Sequence, residues 1–196
     1  MAAPLPDDVL DRAFRTARTY NGFTDQPVTE AELRAVYELM KWGPTSANQQ
    51  PARLVWCLSQ EARDRLAACA SPTNGAKISK APAAVIIGMD MEFYEKLPKL
   101  FPHTDARSWF VGNQPLIEES AFRNSTLQGA YFILAARLLG FDTGPMSGFD
   151  AAAVNEAFFA GTSVKANFIS TIGHGDPARV HARQPRLDFE EANMIA

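Results

Sequence analysis

The stretch from Pro115 to Gly140 constrains this chain more than any other, because its second half, "LQGAYFILAARLLG" (127–140), is apolar almost all the way round a helix. A helix of that character has to bury most of its circumference. A bilayer is excluded: Arg137 interrupts the run, which falls short of the ~20 consecutive apolar residues a span needs. Protein must surround it, and the expected place is the centre of a folded core.

The remaining segments supply that surrounding. Val9, Leu10, Ala13, Phe14 and Ala17 share one helical face over residues 7–20. "TEAE" (29–32) is a capping box, in which the Thr29 hydroxyl accepts the Glu32 backbone N–H while the Glu32 carboxylate reaches back. Leu33, Val36, Tyr37 and Met40 then recur at helical spacing until Gly43-Pro44 ends the pattern. Strands are expected over "RLVWCL" (53–58), "APAAVIIGM" (81–89) and "KANFISTIG" (165–173). The second is apolar without alternation, as a strand buried on both faces is. Helices are expected over 60–70 and from Asp150 to about Phe159, with "DTGPMSGFD" (142–150) a turn leading into the latter. Residues 92–114, rich in aromatics, read as a lid-like excursion. Strands separated by helices, without repeats or linkers, make one α/β or α+β domain over 1–196 with an extension from about 176.

At 196 residues the chain can bury a core without a disulfide or metal staple. Its net charge of −3 argues against nucleic acid, which selects a basic field. Cys57 and Cys69 lie in apolar patterns and read as buried free thiols in a reducing compartment. "MAAPLPDDVLDRAF" has no basic segment followed by an apolar one, so the expectation is a cytoplasmic protein.

Familiar catalytic templates fail. "GHGDP" (173–177) lacks the third glycine of a dinucleotide fingerprint. His103, His174 and His181 form no ligand cluster, so no metal is expected. Cys57 in an apolar strand is the wrong environment for a thiolate nucleophile. What remains is a set of polar and cationic segments: "ARTYNGF" (17–23), "PTSANQQPAR" (44–53), "NGAK" (74–77), "GPMSGFD" (144–150) and "RQPRLDFEEA" (183–192). In this order and spacing they resemble the flavin-dependent nitroreductase family over nearly the whole chain. The variants "KWGPTSAN", "FRNS" and "DTGPMSGFD" resemble its malonic semialdehyde reductase branch, which serves bacterial pyrimidine breakdown.

The resemblance implies an α+β fold with a mostly antiparallel sheet flanked by helices, a homodimer exchanging its C-terminal tails, and FMN reduced by NADPH or NADH. It assigns the FMN phosphate to Arg18, Thr19, Arg183 and Arg186. Fixed cations suit a dianion, each charge-assisted bond contributing roughly 1.5–3 kcal/mol. Asn21 stands where many relatives carry a second cation; it can donate a hydrogen bond but no charge. Pro44, Thr45, Ser46 and Asn48 correspond to a loop laid against the ring system from the neighbouring subunit. Asn74 and Lys77 correspond to the pair at the pyrimidine edge, where a lysine stabilises anionic reduced flavin. Pro145, Met146, Ser147 and Gly148 match the turn whose backbone approaches N5, with Ser147 replacing a usual Glu. Asp150 reads as the cap of the next helix.

The implied reaction is a hydride relay through flavin N5, reducing malonic semialdehyde to 3-hydroxypropanoate. No side chain is assigned as its catalytic acid or base. Arg107 and Arg123 are candidates for the substrate carboxylate, or equally for salt bridges with Glu118 or Glu119. Phe101, Trp109 and Phe110 are candidates for a roof over the flavin or for core packing. The alternatives are a broad nitro or quinone reductase, a flavin protein without turnover, and a scaffold that has lost the flavin.

Overall fold

The computed structural model describes residues 3–196. Met1 and Ala2, the first residues of the stretch inspected for a leader, lie outside them.

In chain order the helices and strands are α1 (Asp7–Leu10), α2 (Glu30–Met40), β1 (Ala52–Cys57), α3 (Gln60–Ala68), α4 (Pro72–Lys80), β2 (Ala83–Asp90), α5 (Leu97–Leu100), α6 (Gln114–Leu138), β3 (Asp142–Met146), α7 (Ala151–Phe159), β4 (Val164–Gly173) and α8 (Phe189–Ala192). The strands form one sheet in the order β1-β2-β4-β3, and every neighbouring pair is antiparallel. β2 and β4 occupy the centre, which is why β2 is apolar at successive positions. Val85 and Ile87 point to one face, where Leu33, Val36 and Met40 of α2 and Phe132 and Ala136 of α6 pack on them. Ala84 and Ile86 point to the other, against Leu66 of α3, Ile78 of α4 and Val154 of α7. The period-two alternation of a strand thus feeds two helical layers. Gly129 lets α6 lie close to the sheet: a methyl group there would sit 2.4 Å from the Phe168 ring.

Both caps read from sequence are present. Glu32 N donates to Thr29 Oγ1 at 3.3 Å, with Thr29 N donating back to Glu32 Oε2 at 2.7 Å. Asp150 Oδ1 accepts the N–H groups of Ala152 and Ala153 at 2.9 and 3.1 Å.

Four expectations change. The first helix stops early: after Leu10 the backbone widens into a π-helical turn, Asp11–Arg15, and Phe14 is 58% exposed instead of packed. "DTGPM" is an edge strand and no turn. Pro145 misled because proline lacks a ladder donor, yet an edge strand tolerates that on its unpaired side. Only one face of α6 is buried; Phe122, Leu127, Tyr131 and Leu138 are exposed on the other. Finally, residues 91–110 are no open lid. Met91, Phe93, Leu97, Ala106 and Phe110 pack with Ile117 and Ala121 of α6 into a small core of their own.

Cys57 is fully buried and Cys69 half-buried, both as free thiols. Among the described residues no helix is long and apolar enough to cross a membrane.

Candidate functional site

Two segments from opposite ends of the chain meet beside edge strand β3. Thr19 forms a parallel bridge to Thr143, and Tyr20 N donates to Thr143 O at 3.0 Å, so residues 17–21 extend the sheet by a few bonds. The tail returns across them. Arg183 Nη2 donates to Arg15 O and Ala17 O at 2.8 and 2.9 Å, and Arg18 donates to His181 O. Between the segments lies a cleft of about 350 Å³, whose lining includes Arg18, Thr19, Asn21, Arg137, His181, Arg183 and Arg186. No carboxylate lines it. Among the described residues Arg18, Arg137, Arg183 and Arg186 form no ion pair with any carboxylate. Their hydrogen bonds run to neutral carbonyls, Arg186 reaching Gln184 O and Pro185 O at 3.0 Å. On this side the guanidinium groups are gathered without counter-charge, as an anion site requires, whereas Arg18 and Arg137 also border a cleft of about 480 Å³ lined by Asp8, Asp11 and Asp142.

A second cleft, about 510 Å³, shares Asn21 and His181 with the first and adds Lys77, Lys80 and Arg179. One turn N-terminal to Lys77 on α4, Asn74 Nδ2 donates to Gly148 O at 3.1 Å, and Ser71 N donates to the same oxygen at 3.0 Å. Gly148 is required here for room: a Cβ would stand 2.7 Å from Asn74 Nδ2. Pro145 and Met146, the last residues of β3, deliver Ser147 and Gly148 to this point, with Ser147 exposed. The structure therefore brings Asn74, Ser147 and Gly148 together, and joins Lys77 to Arg18, Thr19, Arg183 and Arg186 through adjoining clefts.

The loop 44–50 is elsewhere. It precedes Ala52, which faces Met89 of β2, whereas Thr143 faces Ile172 and Ile172 faces Ala83. From Ala83 to Met89 a strand advances about 20 Å, so within one chain the loop and the cationic cleft sit at opposite ends of the sheet. Locally the loop is tightly specified. Ala47, Asn48 and Gln50 have φ of 47°, 50° and 43°, a left-handed region costly for residues with a Cβ. Buried Asn124 holds it from α6, accepting Ser46 N at 2.8 Å and donating to Gln49 Oε1 at 3.0 Å. Thr45 Oγ1 accepts Gln50 N at 3.2 Å, and Asn48 Nδ2 donates to Leu100 O at 2.9 Å. Pro44, Ser46 and Asn48 remain exposed.

Arg107 and Arg123 lie outside both clefts. Arg107 grips Glu95 with Nε and Nη2 at 2.8 and 2.7 Å, which lowers the Glu95 pKa and raises that of Arg107. Arg123 pairs with Glu119 one helical turn away. Trp109 is 49% exposed while Phe110 is buried in the small core.

Arg137 and His181 line the cationic cleft without having been expected there. Asn124 and Gln128 were missed as anchors of the chain entering β1, Gln128 Oε1 accepting Ala52 N at 2.8 Å. A signal existed for three of them: Asn124, Gln128 and Arg137 are polar interruptions in a helix otherwise suited to burial.

A profile described as "Nitroreductase family" matches residues 14–174. The whole chain is 57% identical over 196 residues to the whole of a Stenotrophomonas maltophilia protein named "Putative NADH dehydrogenase/NAD(P)H nitroreductase". Among solved structures, that titled as a putative nitroreductase in complex with FMN from Exiguobacterium sibiricum aligns over 100% of this chain and 99% of its own, with TM-score 0.85 and 20% identity. A nitroreductase family protein of Streptococcus pneumoniae aligns over 96% and 98%, with TM-score 0.82 and 19% identity.

Proposed function

The chain belongs to the nitroreductase family, and from that premise we propose that it is an NAD(P)H-dependent FMN oxidoreductase whose acceptor is malonic semialdehyde, reduced to 3-hydroxypropanoate. The observation that carries the flavin reading is the convergence of Arg18, Arg137, Arg183 and Arg186, without a carboxylate, on a cleft that adjoins the one lined by Lys77. Those residues fit the group. Arg18, Thr19, Arg183 and Arg186 would hold the phosphate, with Asn21 donating a neutral hydrogen bond. Asn74 and Lys77 would meet the pyrimidine edge, where the Lys77 ammonium favours negative charge. Gly148, where a Cβ would crowd Asn74, keeps the turn after β3 packed on α4 and would leave its backbone free of a side chain towards the ring. FMN, when bound, supplies two-electron chemistry between a nicotinamide donor and the acceptor.

The same reading makes the protein a homodimer. One chain leaves Pro44, Thr45, Ser46 and Asn48 at the far end of the sheet, so a second copy would bring them to the site. Leu127, Tyr131 and Leu138 on α6, with Leu187, Phe189, Met194 and Ile195 of the tail, are exposed apolar side chains that such a partner would cover. Light scattering on a sizing column tests this. A monomer at micromolar concentration would remove the shared site.

The acceptor rests on the branch-specific segments. A specific observation favours a second reading, that of a broad nitro or quinone reductase: Arg107 and Arg123 are both engaged in ion pairs, and neither stands free for a substrate carboxylate. Anaerobic reduction by NADPH or NADH, followed by stopped-flow mixing with an acceptor panel, separates the two. Rapid reoxidation by malonic semialdehyde, with 3-hydroxypropanoate recovered, supports the first. Reoxidation only by quinones or nitroaromatics establishes the second, and a colourless protein that refuses added FMN removes both.

A further inference from the structure

Arg137 occupies the last turn of α6 and is fastened from two directions. Its Nη1 donates to Ala13 O at 2.9 Å, and its own carbonyl accepts Arg12 Nε at 2.6 Å. Its Nε is buried without a partner, and no carboxylate pairs with its guanidinium among the described residues. Burial and the neighbouring Arg183 charge both work against the cation. Asp142 on β3 favours the cation by more than Arg183 opposes it, and its Oδ2 also accepts Gly175 N at 2.9 Å. A half-buried guanidinium without an ion pair of its own, lining one cleft with Arg18, Arg183 and Arg186, is placed to share an anion with them through its Nη groups. Arg137 and Arg18 stand between two clefts: the 350 Å³ one, which no carboxylate lines and where the Asn21 amide brings no charge, and another of about 480 Å³ shared with Asp8, Asp11 and Asp142.

We propose that Arg137 is a further phosphate-binding residue of this cleft, supplying from α6 a positive charge that Asn21 does not. The inference rests on the flavin reading above and adds to it a residue that, with Arg18, Arg183 and Arg186, strengthens the preference for FMN over its dephosphorylated form, riboflavin. It also gives the one charge within the apolar stretch 127–140 a use. A residue needed only to fasten the turn Asp11–Arg15 to α6 would serve by its bond to Ala13 and would be indifferent to the ligand's phosphate.

The test compares affinities of the full-length apoprotein for FMN and riboflavin by quenching of flavin fluorescence. Wild type is expected to prefer FMN. Arg137→Gln, which keeps a donor for Ala13, should weaken FMN binding by about tenfold or more while leaving riboflavin within about twofold, as loss of one charge-assisted bond requires. Adding Asn21→Lys to that variant should restore most of the preference, because the charge returns to the same cleft. Arg137→Lys covers the case in which the Gln variant does not fold: it retains the charge and should hold the ratio within about threefold of wild type. Equal losses for both flavins, an unchanged ratio in Arg137→Gln, or a collapsed ratio in a folded Arg137→Lys each overturn the proposal. A wild type that binds both flavins equally also overturns it while leaving the flavin reading intact. A wild type that binds neither removes that reading first.

Discussion

Asn74 Nδ2 and the carbonyl oxygen of Gly148 are 3.1 Å apart, and a methyl group at Gly148 would stand 2.7 Å from that nitrogen. The contact ties α4, whose Lys77 lines the larger cleft, to the turn after β3. Gly148→Ala must push Asn74 aside or shift the turn. Flavin affinity is expected to fall about tenfold, the equivalent of one net hydrogen bond, with a thermal midpoint within a few degrees of wild type. Asn74→Ala should produce part of that loss, and the double variant little more than Gly148→Ala alone, since both changes break one contact. Additive losses would mean that the two residues act separately.

Cys57 provides a pH prediction. Burial pushes its thiol from 9.0 up to about 11, with Arg65 and Arg63 opposing weakly. The folded state therefore holds the proton more tightly than the unfolded chain. The resulting stability is complete below pH 9 and is lost as pH rises towards 11. Its size is of order 2–3 kcal/mol for a shift of about two units. Other groups titrate in the same window, so the quantity to follow is the difference in unfolding free energy between wild type and Cys57→Ala. It should shrink between pH 9 and 11; a constant difference would show that Cys57 ionises as freely in the fold as outside it.

How much of this was legible in the sequence follows from range. Thr29 with Glu32, and Asp150 with the first turn of α7, were readable because a cap is decided within four residues. The buried strand β2 was readable because burial on both faces leaves an apolar run. β3 was not, since local proline chemistry signals a turn and only β4, far along the chain, supplies the ladder that overrides it. Phe14 and the outer face of α6 were misjudged alike. Apolar periodicity reports that a face will be covered, not whether its own chain covers it. For the candidate cleft, resemblance pointed to Arg18 and Arg183, which line it, whereas Arg137, which lines it too, was seen only as an interruption, because convergence on a cleft is a property of the fold.

Asp90 closes the end of the sheet opposite the cationic cleft. Its Oδ2 pairs with Arg53 Nη2 at 2.6 Å, and its Oδ1 accepts Ser163 Oγ at 2.6 Å and Glu92 N at 2.9 Å. Asp90→Ala leaves three donors without an acceptor. Breaking a fully buried pair costs about 3–5 kcal/mol, and the 35% exposure of the Arg53 side chain places this one near the lower end. Urea unfolding should show a loss of about 3 kcal/mol, with Asp90→Asn recovering part of it through its remaining oxygen. A loss under about 1 kcal/mol would mean that water replaces the carboxylate without penalty.

Asn124 supports a loop that would otherwise relax. Three residues with left-handed φ, Ala47, Asn48 and Gln50, carry an unfavourable term of about 1–2 kcal/mol each, so the conformation needs an external brace. Asn124 provides it from a position 2% exposed, with Oδ1 on Ser46 N and Nδ2 shared between Gln49 Oε1 and Ser120 O. Asn124→Ala is expected to cost about 2 kcal/mol through the buried groups it orphans. Limited proteolysis should then cut between 44 and 51, where wild type resists. Ala47→Gly acts in the opposite sense, stabilising by up to about 1 kcal/mol because glycine removes the clash at φ 47°. If the loop completes a flavin site in a second copy, Asn124→Ala also weakens FMN binding in the dimer although its side chain is buried under the loop. Unchanged protease resistance and unchanged affinity together would show that the loop holds its shape by itself, leaving Asn124 as core packing.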